Sequence, residues 1–202
     1  MIAAAETPDD KYAAGQVTFN VGAKSSDVAL QRQGLDLMQL TGAIVNEAKV
    51  DTPAEICVDS IGLGSGVCSA IAAKRALGLK TRIVGVVSAH ATTYADSLAA
   101  GSVVASPVST VLADGMACRV ADPAALEVLA PHLDHLVQVS DTEVAEAMRM
   151  LFADTHNVAE GAGAASFAAA WQERASLKGQ VVGTTLCGGN VDSATFAQVL
   201  GG

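Results

Sequence analysis

A glycine-rich turn lies between a short apolar run and an alanine-rich stretch, and its residue types suit the binding of a phosphate group. The turn reads Gly62-Leu63-Gly64-Ser65-Gly66; residues 56–61 precede it, and the stretch after it continues to Gly78. This order predicts a buried strand, a glycine loop and a helix. Glycine permits positive φ angles and a close approach of a ligand to the backbone, and the N–H groups at a helix N-terminus attract anions.

Two further glycine-rich segments occur later in the chain, at 160–165 and at 187–190. Each follows or faces the end of a predicted strand, where open α/β sheets bind their ligands. A single glycine turn is as typical of a tight connection as of a binding site. Three of them in one small domain favour a site for a phosphate compound, without identifying the compound.

The two common nucleotide-binding motifs do not match. A dinucleotide fingerprint requires a third small residue where this chain has Val67, and an acidic residue at the end of the next strand, where it has Ser88. A P-loop requires Gly-Lys-Ser/Thr after the first glycine, which is also missing. The sequence therefore disfavours NAD and ATP as ligands.

Apolar runs that alternate with helical patterns predict an α/β fold: an open, mostly parallel sheet with helices on both faces. Strands are predicted at 16–21, 56–61, 81–87, 136–139 and 180–186. Helices are predicted at 27–41, from the glycine loop to 78, and at 91–100, 124–130, 160–174 and 192–200, with one more after a capping box. That box is Ser140 with Glu143, while Asp122 and Asp192 are expected to cap the helices that follow them.

The composition limits the classes of partner. The chain has 202 residues, half of them apolar, and a net charge of −9. A chain so acidic argues against nucleic acid, which requires clustered Lys and Arg. The sequence shows neither a signal peptide nor an apolar run of about 20 residues, so no membrane partner is expected. The cysteines are scattered, which indicates reduced thiols in a cytoplasmic protein; they are Cys57, Cys68, Cys118 and Cys187.

Five segments, in order, resemble the threonine/serine dehydratase family of pyridoxal 5′-phosphate (PLP) enzymes. They are SIGLGSGVCSAIAAKRALGLKTRIVGVVS, ADGMA, VSDTEVAEAM, THNVAEGAGAAS and LCGGNVD, and together they cover about residues 55–192. The resemblance implies the tryptophan-synthase-β-like fold, also called fold type II, of which this chain corresponds to the large domain. Residues 27–202 are interpreted as this cofactor-cradling domain, and residues 1–26 as an amino-terminal remnant.

The resemblance also implies which residues meet the cofactor. Gly62, Leu63, Gly64, Ser65 and Gly66 correspond to the loop around the PLP phosphate, although the family usually has glycine where Leu63 and Ser65 stand. Cys187 matches the position whose Ser or Cys meets the pyridine nitrogen. Glu160 matches the acid of an E-x-x-G-A motif beside the cofactor ring; without the resemblance, it would merely favour a helix N-terminus.

The implied reaction is a β-elimination on L-threonine or L-serine that releases a 2-oxo acid and ammonia. The substrate would be a small amino acid, with hydroxyaspartate and a racemase activity left open. Homodimers are usual in the family. Some relatives bind a divalent cation through carboxylates after the strand that here ends at Val87, but this region has no Asp or Glu, so no metal is expected.

The family's Schiff-base lysine is missing from this chain. In relatives it lies in a Ser-x-Lys-x-Arg-Gly segment near the amino terminus, and none of the six lysines here has that context; they are Lys11, Lys24, Lys49, Lys74, Lys80 and Lys178. No catalytic residue is therefore assigned, and the chain alone is expected to be inactive. It is interpreted as starting after the small domain, as a truncated product. The alternatives are a non-catalytic module that binds PLP, phosphate or a partner, and an unrelated phosphate-ligand enzyme.

The remaining polar residues have ordinary explanations. The four histidines have no ligand spacing and are expected at the surface or at helix ends: His90, His132, His135 and His156. Cys57 and Cys68 flank the glycine loop and are expected to be buried as small hydrophobic residues.

Overall fold

The computed structural model describes residues 54–202, so the predictions for the strand at 16–21, the helix at 27–41 and the remnant 1–26 lie outside the described residues. Four strands form one parallel sheet in the order β3-β2-β1-β4. They are β1 (Ile56–Ser60), β2 (Arg82–Ser88), β3 (Leu133–Val139) and β4 (Val182–Thr184). The prediction of an open parallel sheet is confirmed.

Six α-helices connect or follow the strands of this part of the chain. They are α1 (Ser65–Ala76), α2 (Thr93–Ala100), α3 (Pro123–Leu129), α4 (Asp141–Thr155), α5 (Gly161–Gln172) and α6 (Ser193–Gly201). A 3₁₀ turn lies at Asp114–Met116. Within residues 54–202, none of the helices combines the length and apolar character that crossing a bilayer requires.

The helices cover both faces of the sheet. On one face, Val67 and Ile71 of α1 and Leu129 of α3 pack with Ile83 and other buried residues of the strands. On the opposite face, α4, α5 and α6 pack against the alternate strand residues, such as Val58, Val84 and Val137. Because both faces are buried, the strands read as nearly continuous apolar runs, which is typical of parallel sheets.

Helix α5 lies against the sheet through small residues. Its first six residues are all buried: Gly161, Ala162, Gly163, Ala164, Ala165 and Ser166. Small side chains allow the helix backbone to approach neighbouring backbone closely. An added Cβ on Gly163 would stand only 2.3 Å from the carbonyl oxygen of Gly188. The glycine and alanine content of this segment is therefore required by packing.

The three predicted helix caps are present. Ser140 accepts a hydrogen bond from the Glu143 amide at 3.3 Å, and Glu143 Oε2 accepts one from the Ser140 amide at 2.8 Å, which completes the capping box. Asp122 and Asp192 cap α3 and α6 through the amides of Ala125 and Thr195. These caps satisfy amides that a helix end otherwise leaves without partners.

β1 and β2 match their predicted bounds to within one residue at each end, whereas β3 and β4 differ by more. β3 begins at Leu133 rather than 136, because it is an edge strand and tolerates the polar residues Asp134 and His135 in its first half. The last strand is only Val182–Thr184 rather than 180–186. After it, the carbonyl of Thr185 accepts a hydrogen bond from Ser166 of α5, so the chain turns towards that helix.

A cluster of charged side chains joins the start of β3 to the end of α5. His135 Nδ1 lies 2.9 Å from Asp134 Oδ2, and its Nε2 lies 3.0 Å from Glu173 Oε1. Arg82 adds an ion pair to Asp134 at 3.5 Å. Burial lowers the pKa of His135, but the hydrogen bonds and charges of Asp134 and Glu173 outweigh this effect and raise the pKa overall. His135 thus contributes to the fold, at the edge of the sheet opposite the glycine loop.

This cluster predicts a pH dependence of stability. Because the folded-state pKa of His135 is raised, its contribution is fully present below the unfolded pKa of about 6.5 and is lost as the pH rises through the folded pKa. The quantity of interest is the free energy of unfolding of the native protein minus that of His135→Gln. We expect this difference to fall by about 0.5 kcal/mol as the pH rises; the value is small because the cluster is partly exposed. Urea denaturation of both proteins from about pH 5.5 to about pH 9 measures this change. A difference between the two proteins that is independent of pH would contradict the assignment.

Candidate functional site

The glycine loop follows β1 at the carboxyl edge of the sheet and leads directly into α1. Gly64 has φ of 91° and precedes the first helical residue, Ser65. Among residues 54–202, no side chain caps α1, so its first amides point from a helix N-terminus without a side-chain acceptor from this part of the chain. The loop itself is held by Tyr94, whose hydroxyl donates to the Leu63 carbonyl at 2.8 Å. This arrangement suits an anion bound by backbone N–H groups.

The ADGMA turn packs between the glycine loop and α5. An added Cβ on Gly62 would lie 2.4 Å from the carbonyl oxygen of Gly115, and one on Gly115 would lie 2.8 Å from Cβ of Ala162. Asp114 begins the 3₁₀ turn here. Gly115 therefore connects the glycine loop to the segment at 160–165. The sequence did not indicate this contact.

Glu160 lies at the N-terminus of α5 and contacts the last glycine turn. Its amide donates to the Gly188 carbonyl at 3.0 Å, and its Oε2 accepts from the Asn190 amide at 3.1 Å. An added Cβ on Gly188 would lie 2.5 Å from Glu160 Oε1. The carboxylate of Glu160 thus has a fixed position, and Gly188 is needed to leave room for it.

Cys187 joins the last glycine turn to the end of β1. Its Sγ lies 3.7 Å from Ser60 Oγ and 4.0 Å from the carbonyl oxygen of Ala162. The residue is exposed. Ser60, which lies two residues before the loop, was not predicted to take part; only its position at the end of the first strand could have signalled its role.

Asp59 is the second residue at this edge that the sequence did not assign to the site. It is only 4% exposed, and its Oδ1 accepts a hydrogen bond from Thr185 Oγ1 at 2.5 Å. Its Oδ2 lies 3.0 Å from the place that a Cβ on Gly66 would take. The one available signal was an acidic residue inside an apolar strand. Asp59 brings a carboxylate to the first turn of α1.

The other cysteines are not part of this arrangement. Cys57, Cys68 and Cys118 pack against the core on the α1 face but are only partly buried, so the expectation of full burial for the first two is wrong. Burial raises the pKa of each of the three thiols, and Asp59 adds to this effect at Cys57. Because the thiolate is the reactive form, these cysteines are poor nucleophiles.

Of the other histidines, His90 and His132 lie in turns and His156 caps the C-terminus of α4. His90 and His156 are exposed, the latter at the end of α4 with φ of 58°, and His132 is half-buried next to α3. Residues 54–202 contain no cluster of three or more His, Cys, Asp or Glu side chains placed to hold a metal ion.

The contacts fit the cofactor that the resemblance implies. A phosphate ester requires backbone donors and close approach, which the uncapped start of α1 and the loop glycines provide. Glu160 and Cys187 lie on segments that contact this loop through Gly115 and Ser60. A cleft of about 160 Å³ opens beside Glu160 and is lined by Asp114 and Asn190, but neither the glycine loop nor Cys187 lines it. The backbone donors of the glycine loop thus suit a phosphate group.

Comparisons with known proteins agree with this interpretation. The family model described as "Pyridoxal-phosphate dependent enzyme" matches residues 35–188. The chain is 35% identical over 140 residues to an L-threonine ammonia-lyase of Geobacter sulfurreducens, covering 69% of this chain and 34% of that protein. It is 34% identical over 141 residues to a phenylserine dehydratase of Ralstonia pickettii, covering 69% and 42%. The chain therefore spans less than half the length of these curated relatives.

Solved structures show the same fold. A threonine deaminase from T.th. superimposes with a TM-score of 0.67 at 27% identity, covering 81% of this chain and 59% of that one. A maize serine racemase gives a TM-score of 0.65 at 25% identity, covering 82% and 51%. The match of the family model over most of the sequence, together with these relatives, shows that the chain belongs to the family of pyridoxal-phosphate dependent enzymes, of fold type II.

Proposed function

We propose that this chain is the cofactor-cradling part of a PLP-dependent ammonia-lyase that acts on L-threonine or L-serine. The observation that carries the proposal is the meeting of three glycine-rich segments at one edge of the sheet, which brings the glycine loop, Glu160 and Cys187 together. The relatives support the substrate class, since those with 34–35% identity are named as an L-threonine ammonia-lyase and a phenylserine dehydratase.

The glycine loop binds the cofactor phosphate through backbone N–H groups. Gly62, Leu63, Gly64, Ser65 and Gly66 supply this loop, and the positive end of the α1 dipole favours the negative charge. The side chain of Leu63 is exposed at 71%, so it does not fill the space in front of the loop amides. Tyr94 keeps the loop in place through the Leu63 carbonyl.

Cys187 and Glu160 contact the ring of the cofactor. The Cys187 thiol would meet the pyridine nitrogen of the bound cofactor, and its position is set by Ser60 Oγ and the carbonyl of Ala162. Glu160 lies beside the ring, held by the amide of Asn190. When bound, the cofactor supplies an electron sink that makes the α-proton of an amino acid acidic enough to remove.

We expect the chain alone not to turn over substrate, because none of its six lysines has the sequence context of the family's Schiff-base lysine. The proposed localisation of the chain is the cytoplasm, where its free thiols remain reduced. Homodimer formation is the proposed assembly.

A non-catalytic module that binds PLP, phosphate or a partner protein is the second candidate. The position of the lysines favours it. Lys80 and Lys178 are exposed and lie just before β2 and β4, and Lys74 lies in the last turn of α1, so all three are at the edge of the sheet away from the glycine loop.

Binding of the amine form of the cofactor tests the proposal. Pyridoxamine 5′-phosphate does not react with surface lysines, and pyridoxamine is the same molecule without its phosphate. We expect one saturable site for the phosphate ester, with pyridoxamine at least about tenfold weaker, since hydrogen bonds to charged groups contribute about 1.5–3 kcal/mol each. Isothermal titration calorimetry measures both. Equal affinity for the two compounds, or no saturable binding, would refute the assignment of the loop.

A further inference from the structure

The buried carboxylate of Asp59 has a position that the cofactor-binding role of the site does not explain. It lies on β1 with only 4% of its surface exposed. Thr185 donates a hydrogen bond to Oδ1, while Oδ2 points at the first turn of α1, 3.0 Å from the place of a Cβ on Gly66. Carboxylates are rarely buried unless they are paired with a cation or bind a metal. Within residues 54–202, its partners are one hydroxyl and a helix N-terminus.

The charge of Asp59 acts on the start of α1. This helix has no acidic residue in its first turn and no side-chain cap. A helix N-terminus carries roughly half a positive charge, which a nearby anion stabilises. Asp59 supplies that negative charge from the neighbouring strand, on the side of the helix facing the sheet. The glycine loop therefore already has an anion beside it when no ligand is present.

A phosphate ester bound by the same loop would place a second negative group close to Asp59. We propose that Asp59 is a built-in anion that competes electrostatically with phosphate at the glycine loop and weakens the affinity for phosphate esters. This inference rests on the proposed function, because it requires the glycine loop to be the phosphate site. At an effective dielectric constant of about 20, two like charges within about one helical turn of each other repel by more than a tenfold change in affinity requires.

Thr185 holds the Asp59 carboxylate in its position next to α1. Its hydroxyl fixes Oδ1, so the carboxylate cannot rotate away from Gly66 without losing a hydrogen bond in a buried place. Thr185 lies two residues before Cys187, and its amide donates to the Val58 carbonyl at 3.3 Å. The same short segment thus positions both the built-in anion and the group proposed to meet the cofactor ring.

Asp59→Asn tests the inference, because an asparagine oxygen still accepts from Thr185 while the charge is removed. We expect the dissociation constants of inorganic phosphate and of pyridoxamine 5′-phosphate to decrease at least about tenfold in this variant. The matched control is Asp154→Asn, which removes the same charge from an exposed position near the end of α4 and should leave both constants unchanged. Asp59→Val, which restores a typical strand residue, should show the same gain if the asparagine variant folds poorly.

The outcomes separate this inference from the proposed function. A folded Asp59→Asn or Asp59→Val variant that binds phosphate no more tightly than the native chain would overturn the role of Asp59 and leave the phosphate loop in place. If neither the native chain nor the variants bind inorganic phosphate or pyridoxamine 5′-phosphate, both proposals are wrong. An equal gain in Asp154→Asn would mean that net charge, and not Asp59, governs binding.

Discussion

Gly163→Ala is expected to destabilise the chain by about 2–3 kcal/mol and to weaken the binding of pyridoxamine 5′-phosphate at least about tenfold. Helix propensity alone predicts the opposite, because alanine in a helix is about 1 kcal/mol more favourable than glycine. The packing around Gly163 determines whether the substitution stabilises or destabilises the chain. A Cβ on Gly163 would lie 2.3 Å from the Gly188 carbonyl oxygen and 3.0 Å from the Gly188 amide nitrogen. Both are backbone atoms, so the whole turn that carries Cys187 must move.

Gly201→Ala is the matched control for this change. Gly201 is the last residue of α6, and nothing lies within 4 Å of a Cβ added there. Its substitution should be neutral or slightly stabilising and should leave ligand affinity unchanged. Urea denaturation and calorimetric titration of the two variants give both quantities. If Gly163→Ala proves as stable as Gly201→Ala and binds the ligand normally, the close packing of α5 against the last glycine turn is not required.

The purified chain, supplied with PLP and L-threonine or L-serine, is expected to release no ammonia above the rate of free PLP. Lysines are required in this chemistry to hold the cofactor covalently and to move a proton. In residues 54–202 the lysines are distant from the site. Lys74, for example, lies nine residues after the start of α1, which is about 14 Å along the helix axis.

An ammonia assay with an active threonine ammonia-lyase as the positive control measures this prediction. Turnover that depends on PLP, saturates with substrate and follows the chain through purification would contradict it. In that case, single Lys→Met variants at each of the six lysines of the sequence would identify the responsible one. A lack of turnover combined with tight ligand binding agrees with both the cradle and the binding-module proposals.

Much of the architecture could be predicted from local sequence. The strand at 56–60 was recognisable from its apolar run, and the helices after Asp122, Ser140 and Asp192 from their capping residues. These signals are local, since a cap or a buried strand depends on neighbouring residues in the chain. The glycine segments after β1 and β4 also indicated a common site, because parallel strands end at the same edge. The third segment, at 160–165, instead begins α5 and reaches this edge through packing.

The contacts between distant segments could not be predicted. The proximity of Asp59 to Thr185 and of Ser60 to Cys187 depends on the pairing of β1 with β4, which nothing local specifies. The early start of β3 was missed because its polar residues, Asp134 and His135, obscure the strand pattern at an exposed edge. In each case the tertiary partner, and not the residue's own propensity, determines the outcome.

The central claim is that the glycine loop binds the cofactor phosphate, and amide chemical shifts test it most directly. The measurement is a titration of the ¹⁵N-labelled chain with pyridoxamine 5′-phosphate, followed through backbone amide signals. We expect pyridoxamine 5′-phosphate to cause the largest shifts in the loop amides, at Gly62, Gly64, Ser65 and Gly66, and smaller shifts at Gly188 and Asn190. We expect pyridoxamine to leave the loop signals unchanged. Saturating shifts located elsewhere, with the loop amides unchanged, would contradict it.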